Sequence, residues 1–170
     1  AKGKYIYHVI LSKFTWSLLY IMGNVKKKTI NPLNEQLDKP ALIISNHQSV
    51  LDILVSTALN PKVILLTNKW VWHSPVFGAV VRLADYYPVT EGAEEAPERL
   101  KDKVKQGYSI MIYPEGTRSV TGEIKRFHKG AFLIAEQLGL DVLPVLIHGT
   151  AYTLTKGDFL LKNGEITVKY

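Results

Sequence analysis

Four short runs constrain the fold of this chain most strongly: Ala41–Ile44, Val63–Leu66, Ile110–Tyr113 and Asp141–His148. Each is too short for an independent helix and rich in large aliphatic residues, as strands buried on both faces are. Between them lie stretches that read as helices, at Val50–Leu59, Pro75–Leu83, Glu94–Gln106 and Ala131–Leu138. Gly107 and Gly139 follow the last two as stop signals. This alternation predicts an α/β fold, with a mixed, largely parallel sheet flanked by helices. Further strands are expected at Asn24–Ile30, Asp85–Val89 and Glu165–Tyr170. The first carries Lys26, Lys27 and Lys28, which suit a sheet edge protected from pairing with other chains.

The chemistry gathers where two of these strands end. Ala41–Ile44 runs into Ser45-Asn46-His47-Gln48-Ser49 and then a helix holding Asp52 in its first turns. A histidine on a strand-to-helix junction is held by rigid elements yet opens outward. A carboxylate one turn on can accept one imidazole N–H, fix the tautomer and leave the other nitrogen as a general base. A second reading stays open, because Ser49-x-x-Asp52 also fits a helix capping box. The other strand breaks at Pro114 into Glu115-Gly116-Thr117-Arg118. In open α/β sheets ligands bind at that end of the strands, and the planar fork of Arg118 suits a phosphate. An ordinary surface turn with an internal Glu–Arg pair is the alternative.

With both blocks intact, the chain resembles the glycerolipid acyltransferases of the lysophosphatidic-acid (1-acylglycerol-3-phosphate) acyltransferase type. These share an Asn-His-x4-Asp block and a Pro-Glu-Gly-Thr-Arg block. Weaker blocks match at Lys69 with Pro75-Val76-Phe77-Gly78, and at Val142-Leu143-Pro144-Val145, so the likeness extends from Pro40 to Gly149. It looks closest to the acyltransferase module of some longer bacterial lipid-metabolism polypeptides, and a start at Ala1 fits an excised piece. The resemblance implies one acyltransferase domain over residues 1–170, with residues 24–170 as the catalytic core. It implies acyl transfer from acyl-CoA or acyl carrier protein to a lysophospholipid hydroxyl, with His47 as base and Asp52 as its orienting acid. Glu115, Gly116, Thr117, Arg118, Lys69 and Lys129 would form the substrate-binding site, with backbone N–H groups around Gly116 offered to the oxyanion. Glu115 would order the site rather than react, and no metal or bound cofactor is implied. The chain departs from the family at Tyr87-Pro88-Val89-Thr90-Glu91, where many members end the strand with an arginine. Arg82 is a substitute candidate. The departure keeps glycerol-3-phosphate and a lyso-aminolipid open as acceptors, and a non-catalytic lipid-binding module is a further alternative.

Composition narrows the partners. The formal charge of +6 points to nucleic acid or anionic lipid, and no nucleic-acid module is visible. The absence of cysteine removes thiol catalysis and disulfides. Residues 1–23 hold an amphipathic helix over Tyr5–Met22, with Trp16, Tyr5, Tyr7 and Tyr20 as interfacial rings. Lys13 opposes a spanning helix, since a central lysine costs about 2.5–3.5 kcal/mol to insert. Two readings stay open: a helix lying in a membrane interface, or one packed on the domain core. With the resemblance, the first implies a peripheral protein on the cytoplasmic face of the cell membrane.

Overall fold

The computed structural model describes residues 2–75, 77–89, 98–119, 121–158 and 160–170. The first half runs α1 (Lys2–Ile21), β1 (Val25–Ile30), β2 (Ala41–Ser45), α2 (Leu51–Leu59), β3 (Val63–Asn68), α3 (Lys69–Trp72), α4 (Gly78–Leu83) and β4 (Tyr87–Val89). The second runs α5 (Glu98–Lys105), β5 (Ser109–Ile112), α6 (Gly130–Leu138), β6 (Asp141–His148), α7 (Thr150–Thr153) and β7 (Gly164–Lys169). The strands form one sheet in the order β1-β7-β6-β2-β5-β3-β4. All neighbours pair parallel except β6 and β7.

The apolar runs of β2, β3 and β5 are covered on both faces. The Asp141–His148 run, expected to be buried, instead leaves one face of β6 open, with Val142 41% and Leu146 42% exposed. Leu42, Ile43, Ile64, Ile110 and Met111 are fully buried. Their register aligns the site: Ile44 pairs with Ile112, and Ser45 with Val145. The chain therefore leaves β2, β5 and β6 at one edge of the sheet. The lysine-bearing strand β1 is an edge strand, paired among the described residues with β7 alone. At the turn after β6, Gly149 adopts φ +89°, and a Cβ there would sit 1.9 Å from the Glu165 carbonyl. Only glycine lets the chain cross β7 so closely.

Some boundaries differ from those expected. The fourth strand starts at Tyr87 rather than Asp85, because Asp85 is left-handed (φ 51°). There its carboxylate holds Lys4 at 2.8 Å and Lys103 at 2.9 Å. The Pro75–Leu83 helix begins only at Gly78. The Glu94–Gln106 helix is described from Glu98, and its expected first turn lies outside the described residues. The short helices α3 and α7 have no periodic signal to announce them.

Helix α1 packs against α2 through a mixed face, with Tyr7, Leu11 and, just past its end, Met22 against the core beside buried polar groups. His8, Ser12, Thr15 and Leu19 are buried, whereas Ile6, Ile10, Phe14, Trp16, Tyr20 and Ile21 are exposed. His8 lies edge-on to Tyr108 at 5.4 Å and Tyr86 at 6.1 Å. Burial, and then the Lys103 charge, lower its affinity for a proton. The outward apolar stripe ends where Lys27 caps the Met22 carbonyl at 2.8 Å.

Candidate active site

The loop after β2 is tied to both neighbouring strands. The Asn46 amide nitrogen donates to the Ile147 carbonyl at 2.8 Å, and its oxygen accepts the Ile147 N–H at 2.9 Å. His47 follows, with its main chain fixed at two points. Its N–H donates to Glu115 Oε1 at 2.7 Å, and its carbonyl accepts the Ser119 N–H at 2.8 Å.

The imidazole is fixed at two more. Nδ1 lies 3.0 Å from Asp52 Oδ2, and the ring stacks on Tyr113 with centroids 4.1 Å apart and planes 14° from parallel. Asp52 is completely buried, and the same Oδ2 accepts the Gln48 N–H at 2.6 Å and the Ser49 N–H at 2.8 Å. A carboxylate in that setting only accepts, so the hydrogen shared with His47 sits on Nδ1 and the lone pair on Nε2. The bond to the Ser49 N–H is also the backward half of a capping box. The two readings of Asp52 thus describe one carboxylate. The Ser49 hydroxyl donates to the Leu154 carbonyl at 2.7 Å and accepts the Leu51 N–H at 3.3 Å.

The turn after β5 is built around Gly116 at φ +69°, where a Cβ would lie 3.5 Å from the His128 ring. Its N–H donates to the Tyr113 carbonyl at 3.0 Å. The amide of Gly116 is therefore engaged in the turn and does not serve as an oxyanion donor. Asn68 caps the Gly116 carbonyl at 3.0 Å, and the His128 N–H donates to the Pro114 carbonyl at 2.8 Å. Glu115 is 3% exposed. With Oε1 on the His47 amide, it places Oε2 on the Lys125 N–H at 2.9 Å. Both oxygens face backbone, so Glu115 fastens the two loops together and presents no free oxygen to a ligand.

These ties bring the expected basic residues to one rim. Arg118 precedes the Ser119 amide bound to His47, and its carbonyl is 3.5 Å from Lys156 Nζ. Lys69 follows Asn68, and Lys129 follows His128, so both stand one residue from contacts with the Pro114–Gly116 turn. Thr117 is exposed beside them. None of Arg118, Lys69, Lys125 and Lys129 pairs with an acidic side chain among the described residues. Free cations beside a fixed imidazole suit an anionic substrate. Arg82, the substitute candidate for the family arginine, is engaged through one guanidinium nitrogen. It donates to the Trp72 carbonyl at 2.8 Å and ties α4 to α3. Thr90 and Glu91 lie outside the described residues.

Sequence reasoning missed Asn46, Tyr113 and Ser56, whose hydroxyl lies 2.7 Å from that of Tyr113. The only signal for Tyr113 is an aromatic residue at the end of a buried run, immediately before Pro114.

Comparison with known proteins fits this geometry. A family model described as Acyltransferase matches residues 19–148. The chain belongs to the Acyltransferase family. Among relatives of this acyltransferase-family chain, a 1-acyl-sn-glycerol-3-phosphate acyltransferase from Cocos nucifera is 34% identical over 160 residues, 90% of this chain and 51% of the relative. The human 1-acyl-sn-glycerol-3-phosphate acyltransferase beta is 29% identical over 94% of this chain and 59% of its own length. The chain thus spans about half the length of these curated relatives. The crystal structure of the 1-acyl-sn-glycerophosphate acyltransferase PlsC from Thermotoga maritima shares the fold. It superposes with a TM-score of 0.77 at 24% identity, over 99% of this chain and 68% of that one.

Proposed function

We propose that the chain moves a fatty acyl group from a thioester, acyl-CoA or acyl carrier protein, to a free hydroxyl of a lysophospholipid such as 1-acylglycerol-3-phosphate. One observation carries this reading: the imidazole of His47 is locked by Asp52 with Nε2 unencumbered, beside cations that lack acidic partners among the described residues. Nε2 takes the proton of the acceptor hydroxyl as its oxygen attacks the thioester carbonyl. The tetrahedral intermediate collapses, the C–S bond breaks, and the imidazolium returns the proton to the departing thiolate. Asp52 stabilises the imidazolium between these steps, as the acid of a Ser-His-Asp triad does. The acceptor supplies the nucleophile, so none is needed from the protein. Arg118, with Lys69 and Lys129, holds the acceptor's phosphate.

The experiment is a thiol-release assay with a panel of acceptors. Lysophosphatidate is expected to react fastest, ahead of glycerol-3-phosphate and a lyso-aminolipid. Exclusive use of the lyso-aminolipid would remove the phosphate from the reading. Arg118→Ala is expected to raise the KM for lysophosphatidate about 10–100-fold, the worth of a hydrogen bond to a charged group. A rise confined to the acyl donor would move Arg118 to the other substrate.

The same reading places α1 on a membrane surface, peripherally and on the cytoplasmic side. Phe14 is 57% exposed and Ile10 is 60% exposed, while the opposite side of the helix buries polar groups. A helix packed only to complete a core would not leave this many large apolar side chains outside. No helix among the described residues is long and apolar enough to cross a membrane, which leaves an in-plane arrangement for α1. Phe14→Asp is expected to weaken binding to anionic phosphatidylglycerol vesicles roughly 10–100-fold, the transfer energy of one large side chain. Flotation with unchanged affinity would put the contact elsewhere.

A further inference from the structure

We propose that Tyr113 is a positioning residue for His47, its ring fixing the plane in which the imidazole bridges Asp52 and the acceptor hydroxyl. The inference rests on the general-base role given to His47. The Nδ1–Oδ2 bond of 3.0 Å holds the imidazole at one edge only. About that line the ring remains free to tilt, and a tilt moves Nε2 away from the hydroxyl it must reach. The stack at 4.1 Å, 14° from parallel, removes this freedom by covering one whole face.

Tyr113 is itself immobilised. Strand β5 precedes it, Pro114 follows it, and its hydroxyl is 2.7 Å from Ser56 Oγ on α2, the helix that carries Asp52. Burial, and after it the Asp52 charge, hold this hydroxyl well above the ordinary phenol range. It stays neutral throughout the working pH range and keeps its bond to Ser56. The acid, the base and the surface behind the base are thereby referred to one helix. The ring also offers its electron-rich face to the imidazole, an arrangement that favours the cation formed as the acceptor loses its proton. An aliphatic side chain would fill the same end of β5 and give neither effect.

The test is a series at this position, with His47→Ala as reference and each fold checked by its melting curve. Tyr113→Phe retains the ring and is expected to keep kcat within about threefold. Tyr113→Leu and Tyr113→Met remove the stack, Met filling the volume with a flexible side chain. Both are expected to lose about 10²-fold in kcat, the penalty for a misplaced catalytic group, with both KM values within about twofold. Wild-type kcat in either folded variant, or an equal loss in Tyr113→Phe, would overturn the proposal. If His47→Ala turned over normally, the base assignment would fail first. The series would then be read from the ring ¹⁵N signals of His47. Wild type and Tyr113→Phe should give sharp signals from the Nδ1–H form that Asp52 fixes, whereas in Leu and Met the same form should give signals broadened by tilting of the uncovered ring. Identical sharp signals in all four proteins would end the idea without reference to turnover.

Discussion

Replacing His47 with alanine is expected to cut thioester-dependent acylation by about 10²–10⁴-fold, the usual contribution of a positioned general base. The fold should hardly notice. The main-chain bonds of residue 47 to Glu115 and Ser119 do not involve the imidazole. Asp52 Oδ2 keeps the Gln48 and Ser49 amides as donors, so no bare carboxylate is left behind. Continuous thiol release and a thermal melt on the same sample separate the two effects. A purified His47→Ala protein with wild-type turnover would remove the base from the mechanism.

Asp52→Asn is expected to damage both rate and stability, and that contrast identifies it. The carboxylate is fully buried and one oxygen serves three N–H donors. An asparagine has one acceptor oxygen and an NH₂ group that must point somewhere. If the oxygen stays on the two amides, the NH₂ faces a closed pocket, where Asp52 Oδ1 has no partner among the described residues. If the group flips, the NH₂ meets the Gln48 and Ser49 N–H groups and drives the imidazole hydrogen onto Nε2, where it can no longer act as base. Losing the charge-assisted bonds should cost about 2–3 kcal/mol. That is roughly 4–12 °C in melting temperature for a chain of this size. The rate should fall by no more than in His47→Ala, because Asp52 acts through the imidazole. An Asp52→Asn protein as stable as wild type would mean that the loop is held by Asn46 and Glu115 alone.

Much of the site was legible in adjacent residues. The strand-to-helix junction at His47, the spacing to Asp52 and the turn chemistry of Pro114 and Gly116 are local features, governed by backbone preference and by contacts within one or two turns. The role of Glu115 was legible in part, because an acid beside Gly116 marks the turn but not its distant donors. Its bond to the His47 amide spans 68 positions, and the clamp between Asn46 and Ile147 spans 101. Helix α1 shows the same limit. Its periodicity revealed an apolar and a polar side, but either could have faced inward until α2, Tyr86 and Tyr108 filled the space beneath it.

The sequence by itself determined the alternation of strands and helices, the two loops of the candidate site and the spacing that lets Asp52 meet His47. The tertiary structure alone decided that β7 lies between β1 and β6, that α1 turns its apolar stripe outward, that Arg82 tethers two helices, and that Tyr113 backs the imidazole. Local conformation follows from covalent sterics and side-chain periodicity over a few residues. Which distant surfaces meet depends on how the whole chain removes its apolar area from water while satisfying every buried polar group.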